Sequence, residues 1–170
     1  HKFLGVILDS PSLTWKENVQ RLREKTISGC NLMKLLSRKN WGSDRRMLPR
    51  IFSALVRSRL DYAAVCYGSA ADSHLNKLNV IQNSCLRMAL GCRKTTPINS
   101  LHAEANVMPL CYRRDFLCLK SLYKILELPA YVPITTEILR NVARRQGNLE
   151  RPRHILPYIN RCQQILKKTN

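Results

Sequence analysis

Residues 14–38, TWKENVQRLREKTISGCNLMKLLSR, decide the fold class. Trp15, Val19, Leu22, Thr26, Cys30 and Met33 recur at three- and four-residue steps, which puts them on one face of an α-helix. Thr14 and Glu17 stand at capping-box spacing, where the hydroxyl and the carboxylate satisfy reciprocal backbone donors. Trp41-Gly42-Ser43 breaks the pattern, with Gly42 as stop and Ser43 as the next cap. The spacing predicts a first helix from a Thr14 cap to about Arg38.

The same period continues toward the C-terminus. A second helix is expected from near Asp44, with Leu48, Ile51, Phe52 and Leu55 as its stripe. Pro49 makes its regular ladder begin or bend there. It runs through Leu60-Asp61-Tyr62 toward Cys66 and ends at Tyr67-Gly68. A third helix spans roughly 72–90, on Leu75, Leu78, Ile81 and Cys85, with Gly91 at its C′ position. Thr96-Pro97 starts a short fourth helix that ends near Asn106. Pro109 opens a fifth, about 109–128, stopped by Pro129 and Pro133. Beyond 134 the pattern weakens, and a weakly held last helix is expected near 156–168. On the N-terminal side, residues 2–8, KFLGVIL, read as one buried strand ended by Asp9-Ser10-Pro11. The expectation is a mainly α protein: a bundle of about five to six helices with one short N-terminal β segment.

The chain has 170 residues, which suits one compact domain, with or without an appendage beyond it. It carries 29 Lys and Arg against 11 Asp and Glu, a net charge of +18. A small domain is soluble at a net charge of about 2–8. The surplus implies self-repulsion unless a polyanion offsets it, and nucleic acid is the commonest polyanion. Residues 140–170 are strongly basic, with Glu150 as the single acid. No apolar run approaches the ~18 residues of a membrane span. A chain opening at His1 inside an apolar run reads as a fragment without a leader, and an intracellular setting, nucleus and/or cytoplasm, is expected. The 7 cysteines include no C-x-x-C pair and read as reduced, buried core residues.

The acids are scattered singly, with no Asp-Asp and no Glu-x-Glu, which argues against a two-metal phosphoryl-transfer site. His102-Ala-Glu104 with Pro109 and Cys111 imitates half of a zinc deaminase signature, but the spacing of the second half fails. No catalytic residue and no metal ligand is assigned. What remains is basic residues on helices. Lys16, Arg23, Lys34 and Arg38 flank one side of the first apolar stripe; Arg21, Lys25 and Lys39 flank the other. Arg45 and Arg46 add charge beyond it. Few acids stand at compensating positions, so Arg21, Lys25, Lys34, Arg38, Lys39, Arg45 and Arg46 are the candidate phosphate contacts. The aromatics fall mostly at core-like positions, which gives base stacking little support.

A series of short motifs runs in order along the chain: Lys2-Phe3-Leu4-Gly5-Val6 with Asp9; Leu13-Thr14-Trp15; Trp41-Gly42; Leu60-Asp61-Tyr62 with Tyr67-Gly68. Then come Leu78 through Gln82-Asn83, Leu86-Arg87, Leu90-Gly91, Thr95-Thr96-Pro97, Glu104, Pro109-Leu110 and Arg113-Arg114. In this order and spacing the chain resembles the region just after the catalytic core of reverse transcriptases from non-LTR retrotransposons of the jockey type, over about residues 2–128. Arg57-Ser58-Arg59, where the family often has Pro after the first Arg, and Cys66 depart from the pattern.

The resemblance implies that residues 1–10 end the palm, with Phe3, Leu4 and Gly5 in the primer grip. Residues 11–128 would be a helical thumb-like domain, and 129–170 a basic C-terminal extension or linker. The partners implied are an RNA–DNA template–primer duplex or structured RNA and the remainder of the polymerase chain, with no membrane. The segment would need no cofactor and be inactive alone; the Mg2+ of the full-length enzyme would sit on aspartates of an upstream hairpin. The competing expectation is a free-standing helical protein-interaction module whose basic charge is incidental.

Overall fold

A computed structural model describes residues 1–9, 13–38, 43–44, 46–129, 131–144 and 158–169. The protein is mainly α-helical, with one small N-terminal sheet. The expected breaks at Ser10-Pro11 and Trp41-Gly42, the candidate contacts Lys39 and Arg45, and the basic run at 145–157 lie outside the described residues.

The N-terminal run is not one buried strand. It folds back on itself as β1 (Lys2–Phe3) and β2 (Val6–Ile7), antiparallel, with Phe3 opposite Val6. Leu4 and Gly5 form the turn at φ of 45° and 81°. Positive φ at both central residues is the tight hairpin geometry that matches strand twist, and Gly5 takes it without strain. The outcome is a hairpin whose tip is exposed.

Helix α1 spans Lys16–Leu36. Its predicted capping box is not made: Trp15 occupies the N-cap in the left-handed region at φ 60°, and no side chain caps the helix. Thr14 instead donates its hydroxyl to Asp9 Oδ2 at 3.0 Å. Tertiary packing sets this geometry, because the Trp15 ring is buried and its indole N–H donates to Ser69 Oγ at 3.1 Å.

The second helical run starts at α2 (Leu48–Phe52), with Pro49 in its first turn. It passes through a π turn (Ser53–Arg57) into α3 (Ser58–Asp61). Leu48, Phe52, Val56 and Leu60 are all buried. Strict four-residue spacing would drift by about 40° per step in a regular α-helix. The wider π turn underwinds the run and keeps all four on the core side. Tyr62 then turns extended, Ala63 enters the left-handed region at φ 54°, and α4 (Ala64–Tyr67) follows.

Helix α5 (Asp72–Leu90) has the predicted bounds and stripe. Helix α6 spans Ile98–Glu104 and α7 spans Leu110–Leu126, each with the preceding proline at its N-cap. Pro133, expected as a stop, is the first residue of a further helix, α8 (Pro133–Arg144). The ring fixes φ where a helix begins and removes an N–H that would have no partner there. Helix α9 spans Tyr158–Thr169.

Helices α1 and α5 form the most extensive interface among the described residues. Val19 and Met33 of α1, Phe52 and Leu60, and Leu78 and Leu86 of α5 meet in the core. Cys30 and Cys85 join these helices as a disulfide, with Cα atoms 5.7 Å apart. This corrects the expectation that all the cysteines are reduced. The two halves of the bridge lie 55 residues apart on separate apolar stripes, so sequence spacing gave no sign of the pairing.

A second, smaller core fastens α9 to α7. Cys118, Cys162 and Ile165 are buried there, with Leu119, Leu122 and Tyr158 around them. Tyr158 donates to Cys118 O at 3.0 Å and Arg161 to Asp115 Oδ1 at 3.2 Å. A Cβ on Gly68 would stand 2.0 Å from Arg161 Nη1 and 2.5 Å from Ala64 O. Glycine at the end of α4 thus leaves the room that the Arg161 guanidinium occupies. No helix of the described residues is long and apolar enough to cross a membrane.

Candidate nucleic-acid interface

A groove of about 420 Å3 opens between the hairpin, α1 and α3. One wall is the turn at Leu4 and Gly5. The second is Asn18, Arg21, Leu22 and Lys25 of α1, and the third is Ser58 and Arg59 with Tyr62 and Ala63.

Three polar contacts hold the walls. Ile7 N–H donates to Asn18 Oδ1 at 3.1 Å, which pins β2 to α1. Tyr62 donates its hydroxyl to Leu4 O and so fixes the hairpin tip. Arg59 donates to Lys25 O and, at 3.2 Å, to Ser28 Oγ, which lays its guanidinium against α1. Arg21, Lys25 and Arg59 thus bring three cations to one concavity. Among the described residues the ion pairs use Asp61, Asp115 and Glu137, and none involves these three cations. Such uncompensated charge in a concave site raises the local concentration of anions.

Behind Tyr62 lies a half-buried ionic network. Asp61 Oδ2 accepts from Arg113 Nη2 at 2.7 Å and Nε at 3.0 Å. Its Oδ1 faces Arg57 Nε at 3.5 Å, an ion pair too long to be a direct hydrogen bond. Arg57 Nη1 donates to Gln82 Oε1 at 2.7 Å and to Met108 O at 2.9 Å. Burial pulls the proton affinity of Arg57 down and Asp61 opposes it; an arginine stays charged throughout. The network ties the helical run ending at Asp61 to α5 and α7, so the wall carrying Tyr62 has a rigid backing.

Of the expected site residues, the structure brings Leu4, Gly5, Arg21 and Lys25 together in the groove. Phe3 is 66% exposed and is not among the groove's lining residues. Lys34 and Arg38 are exposed on the opposite flank of α1 or beyond its end, since nine residues separate Lys25 from Lys34, about half a turn around the axis. Arg46 is exposed before α2. The arginines of the later helices divide: Arg57 and Arg114 are buried, Arg113 engages Asp61, and Arg59 lines the groove. Arg59 and Tyr62 were missed as site residues. Arg59 had a signal, because residues 57 and 59 lie about 200° apart on a helix and cannot both face the core. His102 is buried between Val107 O at 2.9 Å and Asn83 Oδ1 at 3.0 Å, a bridging position between α5 and α6. Among the described residues no cluster of three or more His, Cys, Asp or Glu could hold a metal ion.

Comparison with known proteins supplies the remaining observation. The chain is 36% identical over 93 residues, 54% of its length, to the "RNA-directed DNA polymerase from mobile element jockey" of Drosophila funebris. It is 30% identical over 107 residues, 61% of its length, to the "Probable RNA-directed DNA polymerase from transposon X-element" of Drosophila melanogaster. These relatives are mobile-element polymerases. The chain spans 10% and 11% of their respective lengths. No protein-family model matches the chain, and no solved structure does.

Proposed function

We propose that this chain is a segment of a non-LTR retrotransposon RNA-directed DNA polymerase, the helical thumb that follows the palm, and that it holds a template–primer duplex through phosphate contacts without catalysing by itself. The observation that supports this reading best is the convergence in one groove of the hairpin tip Leu4-Gly5 with Arg21, Lys25 and Arg59. In this reading residues 1–10 are the end of the palm, 11–128 the thumb and 129–170 a basic extension. Phosphates lie along the groove, Tyr62 sets the hairpin tip against the primer strand, and Lys34, Arg38 and Arg46 make outer contacts. Contacts of this kind position a duplex and carry no sequence information. The Mg2+ chemistry belongs to the parent polymerase.

The test is RNA–DNA duplex affinity from low to physiological salt, for wild type and for Arg21→Ala, Lys25→Ala, Arg59→Ala and Lys34→Ala. Each lost phosphate contact lowers the slope of log affinity against log salt by ~0.9. Groove variants should show that drop on every duplex sequence alike. Unchanged slopes in all four variants, or a chain indifferent to polyanions, would sink the reading and favour the protein-interaction module.

A further inference from the structure

A second feature shares no residue with the groove. Helix α7 has more large apolar surface than its core needs. One face, with Leu110, Arg114 and Cys118, is buried. On the other, Tyr112 is 66% exposed, Phe116 47% and Tyr123 62%. At about 100° per residue these three rings fall within about 40° of one another around the helix axis. They form a row with axial steps of about 6 Å and about 10 Å. Leu119 in the same row is half-buried and packs into the α7–α9 core, which roots the row.

Cations accompany the rings. The Arg113 guanidinium lies 5.6 Å from the Phe116 ring centroid, within the range of a cation–π contact. Lys120 and Lys124 are exposed along one edge of the row. Asp115, on the other edge, is engaged by Arg161; Glu127 stands past the helix end. Exposed aromatics in a row, interleaved with cations on a chain of net charge +18, are complementary to a polyanion that also presents flat apolar faces. Bases inside a duplex are stacked and present only their edges in the grooves, whereas a single strand offers both faces.

We infer that the outward face of α7 is a stacking platform for single-stranded nucleic acid, with Tyr112, Phe116 and Tyr123 each taking a base and Lys120 and Lys124 following the backbone. The steps along the row exceed the 3.4 Å rise of stacked nucleotides, so the bases are splayed, one to a ring. Stacking of this kind tolerates any sequence.

The test uses the full chain with a fluorescent oligo-dT and oligo-U, and in parallel an RNA–DNA duplex. Tyr112→Ala, Phe116→Ala and Tyr123→Ala should each weaken single-strand binding by about 5- to 150-fold and leave duplex affinity within twofold. Tyr112→Phe and Tyr123→Phe should retain binding, since the ring and not the hydroxyl stacks. Arg21→Ala should flatten the duplex salt slope without touching the oligo-dT signal, which separates a failure here from a failure of the groove. Three alanine variants with unchanged single-strand affinity would overturn the inference. So would equal losses on single strand and duplex, or a shift from dimer to monomer in sedimentation without loss of binding, which would make this face a contact between copies.

Discussion

Arg113 holds Asp61 with two donors on one carboxylate oxygen, at 2.7 and 3.0 Å, across 52 residues of chain. The same carboxylate faces Arg57, whose Nη1 donates to Gln82 of α5 and to the backbone before α7. Asp61→Ala removes the only acid among these groups and leaves the buried Arg57 uncompensated. We expect a loss of about 2–4 kcal/mol in urea unfolding. Arg113→Ala should cost less, because Asp61 keeps Arg57. The two changes should be non-additive in a double-mutant cycle.

Trp15 is 7% exposed and links α1 to Ser69. Trp15→Ala should cost about 3–5 kcal/mol. Trp15→Phe keeps a buried ring and loses the indole hydrogen bond, so a smaller cost of about 1 kcal/mol is expected. Chemical denaturation of both variants checks the order.

The Cys30–Cys85 bridge closes a loop of 55 residues. Chain-entropy arguments assign a loop of that size about 4 kcal/mol. Unfolding midpoints measured with and without a thiol reductant should differ accordingly. A Cys30→Ser, Cys85→Ser double variant should match the reduced protein and no longer respond to reductant.

Tyr67 is fully buried and donates to Leu60 O. Burial pushes its phenol well above the ordinary value of about 10. The unfolded chain can therefore release this proton at a pH where the folded chain cannot. The stabilising contribution is whole below pH ~10 and is lost as pH rises beyond it, by up to about 1.4 kcal/mol per pH unit. Tyr67→Phe should be less stable at neutral pH and have a shallower alkaline slope than wild type. Stability measured from pH 8 to 11.5 for both proteins gives the difference.

How much of this could be read beforehand differs by element. Helix α5 was legible in full, because an unbroken apolar period and Gly91 agree on its limits. The cap of α1 was misread because burial of Trp15 overrides the local chemistry of Thr14 and Glu17. The hairpin was misread because it needs Leu4 at φ 45°, a conformation that leucine does not advertise. Pro133 was read as a stop because proline marks starts and stops alike. At the candidate site, periodicity placed Arg21 and Lys25 on one flank of α1, but nothing in a linear pattern says which flank the hairpin joins. Arg59 and Tyr62 enter the groove from more than 30 residues away, through contacts that only the tertiary arrangement creates.

The π turn at Ser53–Arg57 bears on how this segment tolerates change in length. It holds one residue more than a regular α turn would. Deleting a single residue there would restore an ordinary ladder, and Leu60 would then stand eleven regular steps after Leu48, about 1100° or within about 20° of three full turns. Leu60 would stay on the core side, and Asp61 and Tyr62 would keep their directions toward Arg113 and the hairpin tip. Loss of one codon in this stretch should therefore be better tolerated than loss of one within α1 or α5, where no wide turn can absorb it and everything downstream would rotate by about 100°.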